Sequence, residues 1–546
     1  MYRKLLPGLI ALLFAVSAWS APRPNILLVY MDDVGPAWLP PYAHRLTEED
    51  VEEFVVNYYD EQRSTFFSID VDRHIETAQT AMPFLDSLAR QGMVFEQAFA
   101  TSSLCAPSRA GLMAGSYQQR FGIYGNNDAV ENGFPVDQPM LVESLQDAGY
   151  ATAMIGKWHL GRHDERIREK AKRELKSRQA GEKGFTLKAI LDDMGYRSSS
   201  AEGQHPLDRG FDYYFGFNSH DDRYYGSKYL WENHELVPPR AKDEYLTDVL
   251  TDQAIAFMNR SIQAKEPFFV YYAPLSVHGP LQPSPEKYQQ YFDSGVGFTD
   301  SYAGHMRGMD ESLQRIYGVL EEQGVADNTL LIFSADNGQT HYSVPPYNAP
   351  YRGGKGTGWL GGSGVPLIVY MPSMIAPGFS FELISTMDIL PTVLDIVGVT
   401  HDYAIDGLSF QDFLLGRAPR GPREVLYSAG LQSTEWSHGY DMEALKGDRS
   451  SCPLYAWALD RNGHILTHIS TTPDKLYPEF PSGRPANRMF HSAAADPAQS
   501  SNLDAVADYS ETVQVLDLQL GEWLDTLPPP LTTQKKAYRE LRKITP

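Results

Sequence analysis

The sequence predicts an α/β protein: a large, mostly parallel sheet flanked by helices, followed by a smaller C-terminal α+β domain with an antiparallel sheet. Three observations carry that expectation. Five short apolar runs, 25–33 (NILLVYMDD), 150–159 (YATAMIGKWH), 268–278 (FFVYYAPLSVH), 328–337 (NTLLIFSADN) and 365–372 (VPLIVYMP), are rich in aliphatic and aromatic residues. Helical patterns lie between them. Beyond about residue 415 the pattern changes to short strand-like pieces.

Taken in order, the 25–33 run is apolar without alternation until Asp32, which suits a strand covered on both faces. Residues 40–78, acidic at LTEEDVEEF, read as an inserted segment over one face. Helical patterns follow at 82–92, 138–149, 245–261 and 301–324, each between two of the apolar runs or next to one. This alternation of strand and helix is what a parallel sheet needs for its crossovers. Residues 163–204, with DERIREKAKRELKSRQAGEK, read as a second solvated insertion. In the last part, EVLYSAG, YAWALD and GHILTHIS predict short strands, and 509–527 predicts a helix that the prolines at 528–530 stop. The basic stretch 535–543 predicts a frayed helix. The expected divisions are therefore 1–20, 22–415 and 416–546.

The first division reads as a secretory signal: Arg3 and Lys4, an apolar run too short to span a bilayer comfortably, then small residues at Ala18 and Ser20. It predicts export to a periplasm or beyond, without stable membrane insertion. The formal charge is −22, and −24 once Arg3 and Lys4 leave with the signal. Such acidity argues against a nucleic-acid partner, and it requires any anionic substrate to be held by a local cationic pocket. An exported chain of 546 residues has room for several disulfides, yet only Cys105 and Cys452 are present. Cys105 is expected to serve chemistry, and Cys452 to be a small buried hydrophobe.

Four of the five apolar runs end in charged or histidine residues, where open α/β sheets gather their ligands. Asp32 and Asp33 close one run, and Asp336 and Asn337 another. Three carboxylates and an amide oxygen suit a hard cation, Ca²⁺ or Mg²⁺. Lys157 and His159 end a third run in GKWH, and His278 ends a fourth in LSVHGP. Lys355 lies in the Gly-rich RGGKGTGWLGG. Cys105 opens CAPSRAGLMAG, where Pro107 favours the first turn of a helix and Arg109 follows one turn later. A helix N-terminus beside a cation favours a bound oxyanion such as sulfate or phosphate. The same placement is also open to a thiolate nucleophile of a cysteine hydrolase.

The motifs themselves are specific. SLCAPSRAGLMAG (103–115) and GYATAMIGKWHLG (149–161) resemble the two signatures of the type I sulfatase family, within the alkaline-phosphatase-like superfamily. Weaker family features are HPLDRGFDYYFGF, VHGP, SADNG, GGKGTGW, STMDILPTVLDIVG and ADPAQSSNL, so the likeness runs along nearly the whole chain beyond the signal. The resemblance implies hydrolysis of a sulfate monoester, on a saccharide or an aryl alcohol. It implies that a maturation enzyme reading Pro107 and Arg109 converts Cys105 to formylglycine, whose hydrated form attacks sulfur. A hemiacetal sulfate then eliminates, where a simple serine sulfate would hydrolyse slowly. It implies Asp32, Asp33, Asp336, Asn337 and the residue at Cys105 as ligands of Ca²⁺, the ion family members most often use, with Mg²⁺ as the other candidate. Arg109 would orient the diol, His159 would assist elimination, Lys157 and Lys355 would bind sulfate, and His278 would be the general acid beside it. Ser219, in FNSHDD, resembles a substrate-side position of some arylsulfatases.

Departures from the family pattern are Leu360 and Gly364 in WLGGSGVP, Gln339 after SADNG, and the stretch VGPAWLPPYAHR after Asp33. They bear on the substrate rather than the reaction. The Tyr-rich 221–231 is open to sugar stacking or to plain packing. Two other functions share the same residues. One is a phosphonate monoester or phosphodiester hydrolase of the same superfamily, and the other a non-catalytic binder of sulfated glycans.

Overall fold

The computed structural model describes residues 23–51, 70–178, 186–219, 223–283, 297–340, 346–430, 455–469, 488–497, 499, 501–504, 506–528 and 531. The expected signal, Cys452, the end of the 528–530 stop and the basic stretch 535–543 lie outside them, as do parts of the 40–78 and 163–204 insertions. No helix among the described residues is long and apolar enough to cross a membrane.

The strands of the first sheet are β1 (Asn25–Met31), β2 (Met93–Phe95), β4 (Ala151–Lys157), β5 (Tyr213–Phe217), β6 (Trp231–Glu232), β7 (Glu235–Leu236), β8 (Phe268–Ala273), β9 (Thr329–Ala335), β10 (Leu367–Tyr370) and β11 (Gly378–Ser380). A short pair, β3 (Ala98–Phe99) and β12 (Ile384–Ser385), lies beside it. The strands run in space as β11-β2-β10-β9-β1-β8-β4-β5-β6-β7. The centre, β9-β1-β8-β4-β5, is parallel throughout.

The uninterrupted apolar runs have a direct structural cause. Along β1, Leu27, Val29 and Met31 point into one core, and Ile26, Leu28 and Tyr30 into another. Helices Val71–Ala81, Pro83–Ala89, Leu246–Ala264 and Gly297–Glu322 cover the first face. Helices Cys105–Ala114, Leu141–Asp147 and Ile389–Val397 cover the second. A strand between two helical layers has no wet side and needs no polar alternation.

The sheet is mostly parallel, as expected, and the sequence left the direction of each run open. The 365–372 run forms β10, which runs antiparallel to both β9 and β2. An apolar run buried on both faces does not encode its direction, so the sequence pattern was blind to this. The described parts of the insertions hold regular structure, including helices Glu165–Arg178 and Leu187–Asp193.

The C-terminal sheet is antiparallel, β13 (Val425–Gly430), β14 (Tyr455–Asp460), β15 (His464–Ile469) and β16 (Arg488–Ser492) side by side in chain order. The sequence pieces anticipated three of these strands but not β16. Helix Ser510–Asp525 packs Val513, Leu516, Leu520 and Trp523 against Trp457, Leu466 and Phe490. The same core takes in Phe99, Tyr117, Tyr351 and Leu360 from the larger part of the chain.

Candidate active site

β1 and β9 pair in register up to Met31 opposite Ala335, so the next residues of each strand emerge side by side. The ladder continues one step past the strands: the Asp336 amide donates to the Met31 carbonyl at 3.1 Å, and the Asp32 amide to the Ser276 carbonyl at 3.2 Å. Asp32, Asp33, Asp336 and Asn337 are thereby brought to one point, all buried. Asp33 adopts φ 60°, in the left-handed region, and its amide donates to Asp336 Oδ1 at 3.1 Å. A non-glycine residue held there marks a locally imposed conformation at a site.

β4 ends on Lys157, whose Nζ lies 2.6 Å from Asp32 Oδ2. His159, two residues on, is buried with φ 62°. From the other side, Lys355 Nζ reaches Asp33 Oδ1 at 2.6 Å and Oδ2 at 2.8 Å. The Gly-rich segment carries Lys355 there by close backbone packing. The Lys355 amide donates to the Gln339 carbonyl at 3.0 Å, and the Gly356 amide to the Ser103 carbonyl at 2.8 Å. At Gly338 a Cβ would lie 1.8 Å from the Gly361 carbonyl oxygen, so no side chain fits.

Cys105 is the first residue of its helix, as expected, and its Sγ is 3.8 Å from Asp33 Oδ1. The amide of Ala106 is taken by Asn126 Oδ1 at 3.1 Å. Arg109 is buried one turn on. It donates to Asp336 Oδ2 from Nε at 3.0 Å and from Nη2 at 2.8 Å, and from Nη1 to the Lys157 carbonyl at 3.0 Å. Its guanidinium thus grips Asp336 and the end of β4. His278 Nε2 lies 3.9 Å from Asp33 Oδ2, while Nδ1 is 2.8 Å from the Gly279 carbonyl. A carbonyl only accepts, so Nδ1 carries the proton and Nε2 of the neutral ring carries the lone pair.

The electrostatics follow from burying so many charges together. Burial works against the Asp32 carboxylate, yet Lys157, His278, Arg109 and Lys355 outweigh it and hold Asp32 well below the usual carboxylate range. Asp336 is pushed up to about 6 by burial and the Asp32 charge, against Arg109 and Lys157. His278 is lowered to about 4 by burial and then by Lys355. The Cys105 thiol is raised to about 12 by burial, which Lys157 and Lys355 only partly offset. Burial therefore works against the thiolate that a cysteine hydrolase needs near neutrality.

The donor set fits a hard cation. One ligand atom each from Asp32, Asp33, Asp336 and Cys105 lies within 4.8 Å of the others. Among the described residues, the buried Asp32 Oδ1 and Asn337 Oδ1 accept no hydrogen bond; Arg109 Nη2 stays 3.8 Å from the first, and Asn337 instead donates from Nδ2 to Asp33 Oδ1 at 2.8 Å. Crowded carboxylates with orphaned buried oxygens are stabilised by a divalent ion that takes those lone pairs.

The supporting residues were not legible beforehand. Tyr302 donates to the Asp33 carbonyl at 3.1 Å, and Tyr224 to the His278 carbonyl at 2.9 Å. Asn218 straps the turn after β4, accepting from the Gly161 amide at 3.1 Å and donating to the Ser199 carbonyl at 2.8 Å. Ser219 directs its hydroxyl to the Arg197 carbonyl at 2.7 Å, a structural use. Tyr224, in the Tyr-rich stretch, is packed out of solvent, while residues 221–222 lie outside the described ones.

Carboxylates, buried cations, a neutral histidine and a residue at a helix N-terminus gather at the carboxyl edge of a doubly covered sheet, a set that suits a divalent ion and an oxyanion ester. The class narrows by comparison with known proteins. The sulfatase family model matches residues 24–399, and the chain belongs to that family. It is 33% identical over 425 residues to the uncharacterized sulfatase YdeN of Escherichia coli strain K12, covering 77% of this chain and 70% of that one. It is 28% identical over 434 residues to an arylsulfatase of Hemicentrotus pulcherrimus, covering 75% of this chain and 65% of the relative. Among solved structures, Ps i-CgsB in complex with k-i-k-neocarrahexaose shares the fold with a TM-score of 0.67 at 20% identity, over 95% of this chain and 97% of that one. Sulfuric ester hydrolysis is the chemistry of this family.

Proposed function

We propose that this protein hydrolyses sulfate monoesters of saccharides, using Cys105 matured to formylglycine and a bound Ca²⁺, with Mg²⁺ as the other candidate ion. The single observation that carries the proposal is the convergence of Asp32, Asp33, Asp336 and Cys105 within 4.8 Å, ringed by Lys157, Lys355 and Arg109. The aldehyde hydrate supplies one nucleophilic hydroxyl and a second hydroxyl whose deprotonation expels sulfate. Asp32, Asp33, Asp336 and Asn337 would hold the cation, which would supply Lewis acidity and neutralise charge on the ester oxygens.

The other roles belong to side chains already placed. Lys157 and Lys355 flank the ligand set and bind the peripheral oxygens of the ester, in a chain whose net charge of −22 otherwise repels it. Arg109 keeps Asp336 ionised and fixes the end of β4 while orienting the helix turn that carries residue 105. His159, buried two residues after Lys157, takes the proton of the second hydroxyl. His278, fixed through Nδ1, exchanges a proton with the leaving oxygen at Nε2, and the negative charge of a bound ester favours its protonation.

The saccharide assignment leans on the likeness to the carbohydrate-bound Ps i-CgsB. The first division reads as an export signal, residues 22–415 as the catalytic domain and 416–546 as the C-terminal domain, and the maturation enzyme is the partner required. Turnover of an aryl sulfate by matured protein, compared with phenylphosphonate, tests the reaction. The expected result is sulfate ester cleavage lost in Cys105→Ala and His278→Ala. Preference for phenylphosphonate, or turnover unchanged in both variants, would overturn it.

A further inference from the structure

The family match ends at residue 399, and the C-terminal sheet lies beyond it. Even so, a side chain of that sheet touches both segments on which the chemistry depends. Tyr455, the first residue of β14, is buried, and its hydroxyl lies 2.8 Å from Ser103 Oγ, two residues before Cys105. Its ring lies on the Gly-rich segment: a Cβ on Gly358 would stand 3.0 Å from Tyr455 Cγ, three residues after Lys355. Those two segments also bond to each other, through the Gly356 amide and the Ser103 carbonyl at 2.8 Å. Further along, the Leu360 amide donates to Gln499 Oε1 at 3.1 Å, again from beyond the family match. Ser428 of β13 donates to the Thr101 carbonyl at 3.0 Å.

We infer that Tyr455 is a positioning residue for the reaction, fixing the segment that carries Cys105 against the segment that carries Lys355. The inference rests on the sulfatase reading above. Nucleophile and sulfate-binding cation arrive on chain segments about 250 positions apart, and neither is held by a regular strand at that point. The Tyr455 hydroxyl contacts one segment and its ring the other, so one side chain braces the pair beside the direct Gly356–Ser103 bond. Transition-state stabilisation depends steeply on such separations, because a displacement of about 1 Å lowers a rate by about a hundredfold. The C-terminal sheet is then part of the catalytic apparatus through the positions it holds.

The test is a double-mutant cycle on the full matured chain, with 4-nitrophenyl sulfate as probe and rates normalised to formylglycine content. Tyr455→Phe keeps the ring on Gly358 and removes only the hydroxyl, and Ser103→Ala removes its partner. Each single variant is expected to lower kcat about tenfold with little change in KM, an effect on the transition state rather than on binding. The double variant is expected to be no slower than either single one, since both remove the same bond. Hydrogen exchange gives a readout independent of turnover: Tyr455→Phe is expected to speed exchange over 101–108 and 354–358 and leave β1 and β9 unchanged. A wild-type protein inert towards the probe would sink the sulfatase reading while exchange still judged the positioning. Unchanged kcat in both single variants, additive losses in the cycle, or exchange raised across the whole C-terminal sheet without change at 101–108 would overturn the inference.

Discussion

The carboxyl edge of the parallel sheet and the C-terminal antiparallel sheet bury their residues in opposite ways. At the first, Asp32, Asp33, Asp336, Arg109, Lys157 and Lys355 are all buried and in mutual contact. In the second, Trp457, Leu466, Phe490, Leu520 and Trp523 form an apolar core, and charged side chains such as Arg488, Asp504 and Asp517 pair half-buried beside it. Burying unlike charges together recovers little or nothing over an apolar core of the same size, because desolvation offsets attraction. The first region is therefore built for a task at the expense of stability, and the second builds stability that the first does not supply.

Substitutions should separate the two regions. The largest effect belongs to Cys105→Ala, which is expected to abolish sulfate ester turnover by at least about a thousandfold while leaving the melting temperature nearly unchanged. Steady-state kinetics beside calorimetry reads both. Chelation comes next: removing the divalent ion is expected to eliminate activity and to lower stability by about 2.7 kcal/mol relative to an ion present at a hundred times its dissociation constant, with both restored by added Ca²⁺. The mirror case is Trp457→Ala in β14, expected to lower stability by about 3–5 kcal/mol with kcat per folded molecule changed far less. Equal losses of kcat in Trp457→Ala and Cys105→Ala would break the contrast.

Acid should weaken both regions through histidines held neutral. Burial lowers His305, behind the His278 loop, to about 3, and His491, in β16, to about 4, both below the usual 6.5. The folded state resists protonation at these rings while the unfolded chain accepts it below about pH 6.5. Stability is then lost as pH falls from about 6.5 towards about 4, by about 1.4 kcal/mol per pH unit for each ring. His491→Gln is expected to make that acid slope shallower, which urea unfolding at pH 7, 6 and 5 checks. The smallest effect belongs to the exposed pair of Arg166 with Glu202, where Arg166→Ala is expected to change stability by less than about 1 kcal/mol.

The acidic cluster could be grouped from the sequence because it sits at strand ends. An apolar run that stops on two acidic residues marks both a buried strand and its carboxyl edge, so Asp32, Asp33, Asp336 and Asn337 could be grouped before any coordinates. Lys157 and His278 were legible for the same reason, and Cys105 through Pro107 and the helix that follows. What stayed hidden depends on contacts between distant segments. Arg109 was expected to face the nucleophile, and its bonds to Asp336 and the Lys157 carbonyl have no local signature. Nothing in YAWALD announces that Tyr455 meets Ser103. The direction of β10 was hidden because strands buried on both faces look alike in either orientation.

The central claim is that Cys105 is the precursor of the nucleophile and not the nucleophile itself. Mass spectrometry of the tryptic peptide Gln91–Arg109, from protein made alongside an active maturation enzyme, tests it most directly. The peptide is expected to show the mass loss of a thiol replaced by an aldehyde at Cys105. An intact cysteine there, in cells where a control sulfatase is fully converted, would contradict it.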